Sequence, residues 1–166
     1  IFQQPAKFGI DMIVHSTTKY LVGHSDVVAG VVAGREDLLT KIAKNELPLL
    51  GAALPPFPSW LMLRGMRTLP MRMRYAQETG NAIAGWLKDQ PWAEQVFHAG
   101  FDTSDLRAKQ MEGTSSLLSF MPKNQERVWS VKFVEALNIY QLGVSWGGFE
   151  SLSVPLEMQP GAWPEK

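Results

Sequence analysis

"IDMIVHSTTKYLVGHSDVVAGVVAG", Ile10 to Gly34, decides how the rest of the chain is read. Two short apolar runs, residues 10–16 and 27–34, flank a polar loop that carries a single lysine, Lys19, among Ser16, Thr17, Thr18, Gly23, Ser25 and Asp26. The first run follows Gly9 and is partly β-branched, which predicts a strand buried on both faces that ends at the hydroxyls; the second run has the same character. "REDLLTKIAKN", residues 35–45, then reads as a helix with acids in its first turn, where the helix dipole favours them. Strand, loop, strand, helix is the order of an α/β fold.

Outward from that core, "LPLLGAALPPFP" (residues 47–58) has too many prolines for one regular element and predicts a turn or crossing segment. From Pro70 to Asp89 the apolar residues Met71, Tyr75, Ala82, Ile83, Trp86 and Leu87 recur at helical spacing, with Pro70 tolerated in the first turn. Gly80 and Gly85 weaken that helix. The second half changes character: "EQVFHAG" and "SSLLSFM" read as strands around a short helix, "TSDLRAKQM", capped by Ser104 or Thr103. In "NQERVWSVKFVEALNIY" the set Trp129, Phe133, Ala136, Leu137 and Tyr140 predicts a longer helix, and "LGVSWGG" a return to strand. A domain boundary is placed near Met66, dividing the chain into 1–66 and 67–166. No internal repeat is visible, which excludes solenoids.

Composition narrows the classes. At 166 residues and 45% hydrophobic content the chain can bury a real core. Sixteen basic and sixteen acidic side chains cancel without a like-charge block, so neither nucleic acid nor an anionic membrane is an expected partner. Without cysteine there is no disulfide framework and no thiolate metal site, which fits a reducing compartment and suggests the cytoplasm. "IFQQPAKFG" lacks the pattern of a secretory leader, and no run approaches the roughly 20 apolar residues that span a bilayer.

Lys19 is the residue with the most chemistry in its surroundings. An amine that condenses with an aldehyde must be unprotonated, and the rim of an apolar element is where desolvation assists that. Ser16 and Thr18, three and one positions before it, carry compact hydroxyls that can reach phosphate oxygens alongside backbone N–H groups. One loop could then hold both ends of a cofactor bearing an aldehyde and a phosphate. The alternative is that these hydroxyls only turn the chain after a strand.

Four segments carry a resemblance. "SxTKYxxGHSD" at residues 16–26 resembles the lysine loop of the cysteine and methionine metabolism family of pyridoxal-phosphate enzymes; "VVAGVVAG", "LRGMRTLPMRM" and "GVSWGGFESL" resemble that family's next three segments in the same order. The resemblance implies a fold type I PLP-dependent transferase-like chain: the C-terminal part of the large cofactor domain (1–66) and an incomplete, smaller α+β C-terminal domain (67–166), truncated at both ends. It implies that Lys19 holds pyridoxal 5'-phosphate as a Schiff base and moves protons once freed, and that Ser16 and Thr18 bind the phosphate. Ser145 and Trp146 are candidates for the substrate side, because a hydroxyl and two following glycines suit a carboxylate. A tight turn at a strand end is the alternative for that segment.

"SWGG" is similar to the family's bacterial β-lyase branch, which implies β-elimination of cystathionine to homocysteine, pyruvate and ammonia. Cystathionine γ-lyase or γ-synthase chemistry is the close alternative, and a non-catalytic truncated relic is the alternative of another class. The implied partners are a small sulfur amino acid and, for the complete enzyme, a homotetramer. The family's pyridine-pairing aspartate, stacking aromatic and phosphate glycines are expected before Ile1, and its carboxylate-clamping arginine beyond Lys166. The tail "EMQPGAWPEK" drifts from the pattern.

Simpler readings hold elsewhere. His24 is expected to be a loop histidine with satisfied hydrogen bonds, His15 a core residue of its strand, and Asp26 a holder of the loop. Met62, Met66, Met71 and Met73 suit a soft core or interface stripe, and Arg64, Arg67, Arg72 and Arg74 suit ion pairs on a solvated face.

Overall fold

The structure is a computed structural model that describes residues 1–156; the drifting tail lies outside the described residues. Strand β1 (Met12–Ser16) pairs with β2 (Gly30–Gly34) in register Met12↔Gly34 through Ser16↔Gly30. The pair is antiparallel. The reason is local: the backbone N–H groups of Thr17 and Thr18 both donate to Ala29 O, at 2.9 and 3.4 Å, so the intervening loop closes on itself and returns the chain alongside β1. The expectation of burial on both faces is not met, since Val14 is 77% and Val28 87% exposed. A ladder of two strands has no second layer over its faces among the described residues, whatever its sequence prefers.

Helix α1 (Glu36–Lys41) runs through a wider π turn (Ile42–Glu46) into α2 (Leu47–Leu50), with Pro48 in the first turn of the latter. The proline-rich segment is therefore irregular only in its middle. Gly51, at φ +69°, ends α2, and α3 (Pro56–Met66) begins on a proline whose missing N–H would have had no helical partner anyway.

Helix α4 (Leu69–Lys88) matches the expected span, but a different face is inward. Met73, Gly80, Ala84 and Leu87 are buried, whereas Met71, Tyr75 and Trp86 are largely exposed. Gly80 explains the rotation: a Cβ there would lie 2.8 Å from Ser115 O, so the helix rests on the 115–116 backbone through the residue that seemed to weaken it.

Strands β3 (Ala93–Phe97) and β4 (Ser119–Pro122) pair antiparallel with an irregularity between Ala93 and Gln95. Beside them Trp92 meets Phe120, Trp129 and Phe133 at ring-centroid distances of 5.5, 6.0 and 5.3 Å. Trp129 and Phe133 are presented by α6 (Arg127–Glu135), as their spacing predicts, although the helix ends before Ala136. Between β3 and β4, α5 (Asp105–Gln110) is capped by Ser104, whose Oγ accepts from Arg107 N at 3.1 Å. Ser104→Ala is expected to cost about 1 kcal/mol, read as a shift in the urea midpoint at unchanged slope. Finally β5 (Gln141–Leu142) and β6 (Leu152–Ser153) form a short parallel bridge. Most of "LGVSWGG" is accordingly loop: residues 143–151 leave β5 and return at β6.

Candidate active site

Lys19 is half-buried at the start of the loop that closes β1 on β2. Its Nζ donates to Ser145 Oγ at 3.0 Å and lies 4.5 Å from the centre of the Trp146 ring. These partners are 126 and 127 positions along the chain, so the lysine loop and the 143–151 loop meet only through the tertiary fold. An ammonium over an indole face is attracted by the ring's quadrupole, and a hydroxyl lone pair fixes its direction. Ser145 and Trp146, expected on the substrate side, are thus the residues the lysine nitrogen touches. Ser16 and Thr18 do not hydrogen-bond it.

The loop is built to hold its shape. Val22 N donates to Thr17 O at 3.0 Å and Gly23 N to Lys19 O at 2.9 Å, winding residues 17–23 into one turn over the nearly inaccessible Val22 and Thr17 side chains. Thr18 Oγ1 donates to Ala29 O at 3.2 Å and accepts from Ala29 N at 3.0 Å. Thr17 Oγ1 is buried with no protein partner, and the exposed Ser16 hydroxyl has none among the described residues.

Arg72 of α4 supplies the clamp. Its guanidinium donates to Tyr20 O at 2.7 Å, Gly65 O at 2.8 Å and Leu21 O at 3.5 Å, while Nε donates to Thr68 Oγ1 at 3.0 Å. Burial lowers its pKa from the ordinary arginine value, yet a guanidinium remains charged in water. The expected surface ion pair is replaced by carbonyl acceptors because the fork of N–H groups matches several oxygens at once. A Cβ on Gly23 would strike this guanidinium, and one on Gly65 would strike Val22 O, so both glycines permit the close approach. The motif "LRGMRTLPMRM", residues 63–73, contains Gly65, Thr68 and Arg72, but charge and spacing alone do not distinguish Arg72 from Arg64 or Arg67.

The histidines differ from one another. His24 Nδ1 lies 2.7 Å from Val22 O and must carry the proton, so it is the satisfied loop histidine expected. His15 is exposed, with Nδ1 2.7 Å from Ser16 O, and not part of the core; it points off an uncovered strand. Asp26 is exposed and makes no hydrogen bond or ion pair among the described residues, the loop being held instead by Arg72 and by its own backbone. Among the described residues no cluster of histidine and carboxylate groups suits a metal ion, and no helix is long and apolar enough to cross a membrane.

Comparison with known proteins gives this geometry a context. The family described as Cys/Met metabolism PLP-dependent enzyme matches residues 1–166. The chain belongs to that family. It is 39% identical to the cystathionine gamma-synthase of Escherichia coli over 90% of this chain and 39% of the relative. It is 36% identical to the cystathionine beta-lyase of Lactococcus lactis subsp. cremoris over 99% of this chain and 44% of the relative. A crystal structure of cystathionine gamma synthase from Xanthomonas oryzae pv. oryzae, in complex with aminoacrylate and cysteine, superposes with a TM-score of 0.82 at 40% identity, covering 91% of this chain and 40% of that one. The chain therefore has the fold of part of a fold type I pyridoxal-phosphate enzyme, and it spans about two-fifths of the length of the relatives it matches.

The residues present fit the family's cofactor. Lys19 Nζ is met by a neutral hydroxyl and a ring face, with no carboxylate ion-paired to it among the described residues, so the amine can be released to an aldehyde. The Ser16 hydroxyl, without a partner among the described residues, could donate to a phosphate, and the buried Thr17 Oγ1, also without one, marks a polar spot under the same loop. Thr18 could donate only by turning its proton away from Ala29 O.

Proposed function

We propose that this chain carries the reactive lysine of a pyridoxal-phosphate enzyme acting on carbon–sulfur bonds of sulfur amino acids, and that its reaction is β-elimination of cystathionine. The observation that carries the reading is the Lys19 nitrogen held between the Ser145 hydroxyl and the Trp146 face. Residues 1–66 are assigned to the cofactor domain and 67–166 to the smaller domain, in a cytoplasmic enzyme that assembles as a homotetramer from complete subunits.

In this reading Lys19 bonds the cofactor's aldehyde, and Ser16 and Thr18 hold its phosphate. The cofactor supplies an aldehyde that takes up the substrate amine and a ring that accepts electrons. Freed from the cofactor, Lys19 Nζ would be the base that takes the substrate's α-proton and returns a proton to the departing sulfur. Ser145 Oγ keeps the nitrogen directed while it carries that proton, and Trp146 covers it from one side.

The nature of the products tests the proposal. Cystathionine offered with pyridoxal phosphate to the complete subunit is expected to release pyruvate, homocysteine and ammonia, and this chain alone, a fragment of it, is expected to be poorly active. Release of 2-oxobutyrate and cysteine would overturn β-elimination in favour of γ-elimination. Formation of cystathionine from cysteine and an activated homoserine ester would favour γ-replacement, the second reading, which the identity to cystathionine gamma-synthases supports. If cofactor bonds Lys19 and none of these products forms, the non-catalytic reading gains.

A further inference from the structure

We infer that Ser25 and Glu150 form a latch that positions Ser145 and Trp146 on Lys19. The inference deepens the proposed function and rests on Lys19 being its reactive amine. Ser25 Oγ donates to Glu150 Oε2 at 2.7 Å, joining residues 125 positions apart.

The two loops run side by side in the same order: Ser145 on Lys19, Gly147 on Tyr20, Glu150 on Ser25. Each contact is constrained. Gly147 sits at φ +80°, and a Cβ there would lie 2.5 Å from Tyr20 N, so only glycine permits that approach. A Cβ on Gly148 would strike both Ser25 Oγ and the Glu150 carboxylate, which places this glycine in the crook of the latch. Ser25 itself is held at φ +57°, a left-handed conformation that non-glycine residues seldom adopt. In that conformation its hydroxyl reaches Glu150.

The electrostatics agree. The Ser25 hydroxyl, and then the backbone N–H groups of Glu150 and Phe149, hold the Glu150 carboxyl below the usual carboxylate range. An ionised acceptor makes the shorter and stronger hydrogen bond. Ser145 and Trp146 are themselves exposed, so little else in their own loop immobilises them. Ser25 and Glu150 are therefore positioning residues: neither hydrogen-bonds Lys19, and they act by fixing where the loop lies.

Amide hydrogen exchange on the whole chain tests the latch directly. Ser25→Ala and Glu150→Ala are each expected to speed exchange at 145–149 by about tenfold, with α4 and β3 unchanged, because local opening reports local contacts. The double variant should be no faster than the faster single one. Glu150→Gln, which keeps an oxygen acceptor, should restore most of the protection. A second arm follows imine formation between free pyridoxal phosphate and Lys19: both single variants should change its rate, and Ser145→Ala should erase the difference, since the latch acts through that hydroxyl. Unaltered exchange at 145–149, additive effects in the double variant, or an effect that survives Ser145→Ala would overturn the inference. A wild-type chain in which Lys19 forms no imine would count against the proposed function, while the exchange result would still decide whether the latch exists.

Discussion

Lys19→Ala is expected to abolish the visible absorption that develops when the protein is mixed with pyridoxal phosphate, and with it any adduct trapped by borohydride reduction. The effect is all or none because the bond requires one primary amine at one place. The other lysines among the described residues, Lys7, Lys41, Lys44, Lys88, Lys109, Lys123 and Lys132, carry the same group, but none has a hydroxyl and an indole face arranged around it. The fold should survive the change. Lys19 contributes one hydrogen bond to a hydroxyl and one cation–π contact at a partly exposed site, together about 1 kcal/mol or less. An unchanged melting curve with complete loss of the adduct is thus the expected pair of results. Retention of the adduct in Lys19→Ala, mapped by mass spectrometry to another lysine, would remove the basis of the site.

Arg72→Ala is expected to have the larger structural effect, about 2–4 kcal/mol, measured by denaturant unfolding. The guanidinium reaches three carbonyls, those of Tyr20, Leu21 and Gly65, and so joins the lysine loop to the end of α3 through a single side chain of α4. Truncation leaves those oxygens without their donors and leaves a hole beneath Gly23, whose surface was shaped by that guanidinium. Arg72→Lys should recover less than half of the loss, since one ammonium cannot span the same acceptors. The residues that carry Lys19 also loosen, so cofactor uptake should fall along with stability. A variant with wild-type unfolding would mean that water replaces the guanidinium at no cost, and that the loop is held by its own turn alone.

Four motifs in the family's order placed Lys19 in its family from the sequence, because together they are specific where any one of them would be weak. Patterns carried by consecutive residues were equally legible. The span of α4, the Ser104 cap and the inward set Trp129 and Phe133 all follow from spacing on a single element. Wherever a reading needed a partner from elsewhere, it failed or stayed silent. The inward face of α4 was set by Gly80 lying on the 115–116 backbone, which no hydrophobic period encodes. Arg72 looked like one of several arginines on a solvated face until Tyr20, Leu21 and Gly65 were brought to it.

Local sequence thus pointed to the residues proposed for the chemistry and to helices such as α4 and α6, though not to α3, since the first two depend on side-chain type and near-neighbour spacing. Tertiary structure alone decided that Ser145, Trp146 and Glu150 reach a loop more than a hundred residues earlier. The physical reason is that such contacts depend on backbones approaching closely at Gly65, Gly147 and Gly148, and a glycine in a sequence does not say what will lie against it.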